Sequence, residues 1–389
     1  MKAVKGAQER RPELLELVQR LNTSGARAVE AFVHAGTQYL AVAQLARDIP
    51  GRPAQMNGGD SNVEALVYRW KDGGFIEHQR LSVAGGEDVE FFRIADRAFL
   101  ATASLRTGAD PYELNTHSTL FELVDGQFEP FQSFPTFAAK QWRHFQIGER
   151  HFLALAQGVV IDGVIATHPS QSCIFEWDGS RFLPFQSIPS LWGYNWECFR
   201  VGGQLLLGYA DQIERSRLMR WNGSAFEDFQ YLEGRSGRAL CFFEAEDECW
   251  LAFAKLHEES LLYRWRDGRF VCHESLSGPG GREFEWFEAS GNGYLVQVNF
   301  LHGSREAPQT ALQSAVLEFR NGKLATVESF PTLGGTDAAA FQVDGCLYLA
   351  VANSLTADIR FRADSHIYRV ATPYTESRHL AVSQEIRES

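Results

Sequence analysis

The chain reads as an all-β protein, a seven-bladed β-propeller built from four-stranded antiparallel blades. Three recurrences predict this. A strand ending in a tetrad centred on Gln or Glu appears seven times. An apolar strand with small residues at alternate positions also appears seven times. An Asp-Gly or Asn-Gly turn closes six of the units. The 389 residues are enough for one large core, and aromatic residues make up 13% of them. Periodic aromatics with Gly-bearing turns are a mark of all-β repeats.

The tetrads read Val18-Gln19-Arg20-Leu21, His78-Gln79-Arg80-Leu81, Phe131-Gln132-Ser133-Phe134, Phe185-Gln186-Ser187-Ile188 and Phe229-Gln230-Tyr231-Leu232. Two diverged copies follow, His273-Glu274-Ser275-Leu276 and Val327-Glu328-Ser329-Phe330. The apolar strands end at Ala43, Ala103, Ala156, Ala210, Ala254, Val298 and Ala352. Small residues at every second position suit a strand face that meets a neighbouring sheet closely. A third strand opens on Ser (Ser172, Ser216, Ser260; Ala65 in the first unit) and ends on an aromatic. The turns Asp72-Gly73, Asp125-Gly126, Asp178-Gly179, Asn222-Gly223, Asp267-Gly268 and Asn321-Gly322 follow it, chosen for their tolerance of positive φ. Each unit thus holds four strands in about 44 to 60 residues, the size of a propeller blade. The boundaries are 15–75, 76–128, 129–182, 183–226, 227–270, 271–324 and 325–370, after an N-terminal extension at 1–14 and before a tail or closing strand at 371–389. Ring closure is expected from a strand near 14–21 completing the last blade. A short helix at 12–21 and an eighth tetrad at Ser383-Gln384-Glu385-Ile386 are the competing local readings.

The order F..Q.I, W..F.I.G..FLA.A, S.IY.W.DG.F resembles the EPTP repeat, also called the EAR (epilepsy-associated) repeat, of the leucine-rich glioma-inactivated family, over roughly residues 15–370. The resemblance implies a seven-bladed propeller, recognition of a protein partner, and an Asp-x-Glu motif that helps bind a metal in the central channel. The leucine-rich repeats of those proteins have no counterpart in this chain.

Composition bounds the rest. A formal charge of −12 argues against nucleic acid or an anionic membrane as partner. No apolar run approaches the roughly 18 residues that span a bilayer. The N-terminal stretch lacks an apolar signal region, which favours a cytoplasmic protein, taken as a monomer. The six Cys form no CxxC pair. Cys241 and Cys249 flank a hairpin and are either facing partners or buried thiols.

The first strand of each blade lines the channel. Aligned at its start, one column reads Ala28, Asp88, Gln141, Asn195, Ala239, Glu283, Asp337 around the ring, and two residues later the column reads Glu30, Glu90, Arg143, Glu197, Cys241, Glu285, Ala339. Strand periodicity puts both on one side. Crowded hard-oxygen ligands suit Ca²⁺. The expected metal set is therefore Glu30, Asp88, Glu90, Asn195, Glu197, Glu283, Glu285 and Asp337. Asp88-Val89-Glu90 matches the resembled motif directly, and Arg143 departs from it. No organic cofactor is expected.

The connections between second and third strands are short in the fourth and fifth units and long in the other five, which are contiguous around a closed ring. Repeat proteins tend to place insertions on their binding face. The candidate partner-binding residues are Arg47, Arg52 and Asp60 in the first loop, Arg106 and His117 in the second, His302 and Arg305 in the sixth, and Arg360 and Arg362 in the seventh. No GxSxG, HExxH, P-loop or GxGxxG motif is present. The recurrent Ser and Gln are read as structural. The favoured function is an interaction module that binds a protein through its loop-rich face, with Ca²⁺ in the channel. The alternative is a metal-dependent propeller enzyme of lactonase, lyase or cyclase type acting on a small molecule at the channel mouth, a reading from architecture alone.

Overall fold

A computed structural model describes residues 13–160, 170–276, 278–304 and 306–371. These form seven four-stranded antiparallel sheets, and among the described residues there is no helix. The strands of each blade are called a to d from the channel outward. The a strands are Ala26–His34, Gly86–Ile94, Ala139–Ile147, Gly193–Val201, Gly237–Ala245, Gly281–Ala289 and Gly335–Val343 in blades 1 to 7. The ring closes through the N-terminus. Leu15–Leu21 is strand d of blade 7, running antiparallel to Ser365–Val370 with Leu15 opposite Val370 and Leu21 opposite Ser365. The helix reading of this segment is thereby replaced by a strand. The possible eighth tetrad at 383–386 lies outside the described residues.

A four-stranded sheet has two apolar faces and no way to bury both alone. Here each interface between adjacent blades holds its own core. Between blades 3 and 4, for example, Phe152, Ala154, Ala156 and Ile174 pack against Trp196, Leu207, Tyr209 and Phe226, all buried. The alternating Ala of strand b is the close-approach side of this contact, and the aromatics fill the opposite side. Each fully buried large apolar side chain contributes about 1.5–3 kcal/mol. Trp142, Trp196 and Trp250 are the largest such groups.

The recurrent Gln proves to be an amide clamp between blades. Gln79 donates from Nε2 to the Phe128 carbonyl (2.8 Å) and accepts the Phe128 N–H at Oε1 (2.8 Å). Gln132 grips Phe182, Gln186 grips Phe226, Gln230 grips Phe270 and Gln19 grips Phe75 in the same way. The two diverged tetrads explain themselves chemically, since a carboxylate accepts and does not donate. Among the described residues Glu274 takes only the Leu324 N–H, and Glu328 takes the N–H groups of Leu14 and Leu15. The recurrent Ser is likewise structural. Ser118, Ser172, Ser216, Ser260 and Ser314 each accept, at Oγ, the N–H of a residue at the end of strand b. Space at this corner is tight. A Cβ on Gly237 or Gly281 would stand 2.4–2.5 Å from the Oγ of Ser216 or Ser260 in the preceding blade.

All six cysteines are free thiols. Cys241 lies opposite Ala252 and Cys249 opposite Glu244, so the two do not face each other across their hairpin.

Candidate functional site

The seven a strands surround a central channel with a cavity of about 370 Å³. Their pairing with strand b slips by one residue between the first and third positions in every blade. An inserted residue of this kind is a bulge, and it re-aims a side chain. The second-position residues are Arg27, Glu87, Lys140, Tyr194, Arg238, Arg282 and Thr336. Six of them line the channel beside the third-position residues, and Arg238 packs against Tyr194. Strict two-residue alternation assigns these side chains to the opposite face, so the sequence reading missed them. The available signal was a Gly or Ala followed by two polar residues at the start of strand a in most blades.

Three tiers result. The second-position tier, nearest the start of strand a, carries four cations and one carboxylate. Glu87 accepts from Lys140 (3.3 Å) and lies 3.9 Å from Arg27. The Tyr194 ring sits among the rest, with Arg238 at 3.8 Å, Lys140 at 5.2 Å and Arg282 at 5.3 Å from its centroid. Arg27 also lies 5.3 Å from the Phe300 ring. Burial alone would raise the Glu87 carboxyl, but Lys140, Arg27 and Arg282 hold it down at about 2. Burial would likewise raise the Tyr194 phenol, yet Arg238 and Lys140 keep it below its ordinary value. Burial lowers Arg238 to about 10, and the neighbouring Arg282 pushes the same way.

The third- and fifth-position tiers below are acidic. Their carboxylates and amides lace the inner edges of adjacent blades together. The Trp142 N–H donates to Asp88 Oδ2 (2.8 Å), Trp196 to Gln141 Oε1 (2.6 Å), Leu240 to Asn195 Oδ1 (3.0 Å) and Val29 to Asp337 Oδ2 (2.8 Å). One tier lower, His144 N–H donates to Glu90 Oε1 (2.8 Å) and Ala340 N–H to Glu285 Oε1 (2.9 Å). These N–H groups belong to the free edge of strand a, which in a narrow channel has no other strand to pair with. Arg143 stands between Glu90 and Glu197, 3.5 Å from each. Burial, with neighbouring carboxylates adding to it, holds Glu30, Asp88 and Glu283 well above the carboxylate range. It places Asp337 at about 6 and Glu285 at about 8.

All eight expected metal ligands do line one cavity. Asp88, Glu90, Asn195, Glu285 and Asp337 each accept an edge N–H, Arg143 occupies the middle of the lower tier, and among the described residues no group of three or more His, Cys, Asp or Glu is gathered to hold a metal.

The starts of the a strands and the b–c loops share one face. The loops of blades 6, 7, 1 and 2 interlock there. Arg106 is buried rather than offered to a partner: it donates to Asn57 O (2.6 Å), Gly58 O (2.5 Å) and Ser61 Oγ (2.8 Å) and stacks 3.8 Å from the Tyr112 ring. Tyr112 reaches Gly59 O (2.7 Å), from a small hairpin pairing Thr107–Gly108 with Tyr112–Glu113. Arg47 pairs with Asp60 (2.7 Å) and closes the first loop. Arg360 donates to Arg52 O (3.0 Å), and Thr310 to Thr356 O (2.8 Å). Between the first and seventh loops lies a cleft of about 680 Å³ lined by Asp48, Arg52, Pro53, Asp358, Arg360 and Arg362. His117 is exposed, His302 bonds Pro279 O (2.7 Å), and Arg305 lies outside the described residues.

Comparison with known proteins agrees with this architecture. Residues 15–71, 127–178, 181–222 and 323–369, slightly over half of the chain, match the EPTP domain. Over 260 residues the chain is 33% identical to the thrombospondin-type laminin G domain and EAR repeat-containing protein of Mus musculus, a match covering 51% of this chain and 36% of the relative. The Homo sapiens protein of the same name is 29% identical over 145 residues, covering 36% of this chain and 20% of its own length. The matches thus span about a third and a fifth of those relatives. With seven blades, a closed ring and matches at both ends of it, the chain belongs to the EPTP domain family and is an EPTP/EAR repeat protein.

Proposed function

We propose that the chain is an interaction module whose loop face docks a protein partner. The observation that carries this is the interlocked rim. Four consecutive b–c loops, otherwise free to move, are fixed to one another by Arg106, Tyr112, Arg360 and Thr310. A surface ordered in advance loses less entropy on binding, which is where affinity is gained or lost for a given contact area. The cleft between the first and seventh loops is the natural receptor for a side chain of the partner. Its Arg52, Arg360 and Arg362, beside Asp48 and Asp358, favour an element carrying both charge signs.

A photo-crosslinking residue tests this reading when placed at Pro53 on the rim and, in a second sample, at Ser224 in the c–d turn of the opposite face. Both positions are exposed. One recurrent adduct from position 53, absent from position 224, is expected. Equal labelling from the two faces would contradict a dedicated docking surface.

A further inference from the structure

We infer that the bulged tier of the channel is a binding site for a small multivalent oxyanion, of the phosphate or dicarboxylate class. The inference goes beyond partner docking at the rim and does not depend on it.

The geometry is that of a cationic cage with too little negative charge. Arg27, Lys140, Arg238 and Arg282 come from four different blades and are 8%, 6%, 6% and 9% exposed. Glu87 is the carboxylate of their own tier, and only Arg27 and Lys140 reach it within 4.0 Å. Among the described residues no carboxylate stands within 4.0 Å of a nitrogen of Arg238 or Arg282. Two donors have no hydrogen-bond partner although buried, Arg27 Nε and Arg238 Nη1. Burying charge without a partner is costly, and unmet guanidinium donors cost more than neutral ones. Of the acids one residue along the same strands, Glu283 and Asp337 act on Arg282 through space but neither comes within 4.0 Å of it, and Asp88 and Asp337 hold edge N–H groups. Tyr194 supplies a ring face to three of the cations, which softens their repulsion but adds no formal charge. The depressed Glu87 and Tyr194 groups report the same excess of positive potential.

A phosphate or a short dicarboxylate fits this deficit in charge and size. It would accept from Arg27, Lys140 and Arg282, all of which line the cavity on its second-position tier. Arg guanidinium matches such oxygens with parallel donors, and each charge-assisted bond is stronger than a neutral one.

The test uses the full chain, titrated with inorganic phosphate and separately with succinate, each against sodium chloride of equal ionic strength. Melting temperature and phosphorus NMR line width are the readouts. Wild type is expected to melt higher with phosphate, with succinate, or with both, and the arm that acts at lower concentration identifies the oxyanion class. Arg282→Met is expected to melt higher than wild type in anion-free buffer, because repulsion is relieved, and to bind the active anion about tenfold more weakly or worse. Arg181→Gln, in an exposed c–d turn of the opposite face, is expected to keep the wild-type response. Absence of any specific response in wild type up to about 10 mM of either anion, where a millimolar Kd would show, overturns the proposal. So does an undiminished response in Arg282→Met. Should that variant fail to fold, the wild-type melting response to each anion, with the phosphorus line width in the phosphate arm, still decides.

Discussion

The bulged tier and the tiers beneath it are separated by a single residue along the same seven strands, yet they handle charge in opposite ways. The upper tier holds four cations around Glu87 and leaves donors unmet. In the lower tiers Asp88, Glu90, Glu285 and Asp337 are carboxylates with backbone partners. They accept the edge N–H groups of the next blade, with Arg143 as internal counter-ion. On the proposed reading, the lower acids serve the ring's own hydrogen bonding and the upper cations take an anion from outside. Sign and density of charge alone do not separate a ligand site from structural lacing. What separates them is whether each polar atom is already paired.

The comparison breaks most visibly at Glu87. Glu87→Gln removes the tier's carboxylate from beneath four buried cations, and loss of one member of a buried pair costs about 3–5 kcal/mol. A large fall in melting temperature is expected. Phosphate should restore part of it, and a variant as stable as wild type would show that the tier is already compensated. Asp88 separates lacing from metal binding. Asp88→Asn keeps an acceptor for the Trp142 N–H, so its stability should stay close to wild type, whereas Asp88→Ala leaves that N–H unpaired at about 1–3 kcal/mol. Equal damage from both substitutions, reversed by Ca²⁺, would favour a cation instead.

Titration sharpens the contrast further. Asp337 and Glu285 have folded-state pKa values of about 6 and about 8, above the ordinary 3.8 and 4.5. The folded protein thus holds these protons more tightly than the unfolded chain. Their contribution is fully present below about pH 4 and is lost as pH rises through 6 and 8. Melting temperature should decline across that window. Asp337→Asn with Glu285→Gln, which retain the acceptor oxygens, should flatten the decline and stabilise the protein at pH 8. An unchanged slope would contradict the assignment. The smallest effect is expected at the rim, where the exposed Arg362 pairs with Asp358 at 2.8 Å. Arg362→Gln should change stability by no more than about 0.5 kcal/mol while weakening partner capture.

The fold was legible because each blade repeats the same solution. Gln in strand d, Ala in strand b and Asp-Gly after strand c each answer one local demand, so seven copies reinforce one another. Closure by residues 15–21 was legible too, since Gln19 completes the series of tetrads and its clamp on Phe75 is the same bond. The channel acids were found in their correct columns. Their pairing was not legible, because the N–H groups they accept come from the neighbouring blade. The bulged tier was invisible for a geometric reason. One inserted residue breaks the two-residue period that the columns assume, and it turns Arg27, Lys140 and Arg282 toward the axis. Arg106 misled in another way. Composition marks Arg106 as available charge, but the loop carbonyls of Asn57 and Gly58 already engage it.

Crystals of the full chain soaked in selenate and measured at the selenium edge test the contrast between the tiers most directly. An anomalous peak within hydrogen-bonding distance of Arg27 and Arg282, with Asp88 and Asp337 still accepting from Trp142 and Val29, is the predicted result. An empty upper tier whose arginines have turned down onto Glu283 and Asp337 would contradict it.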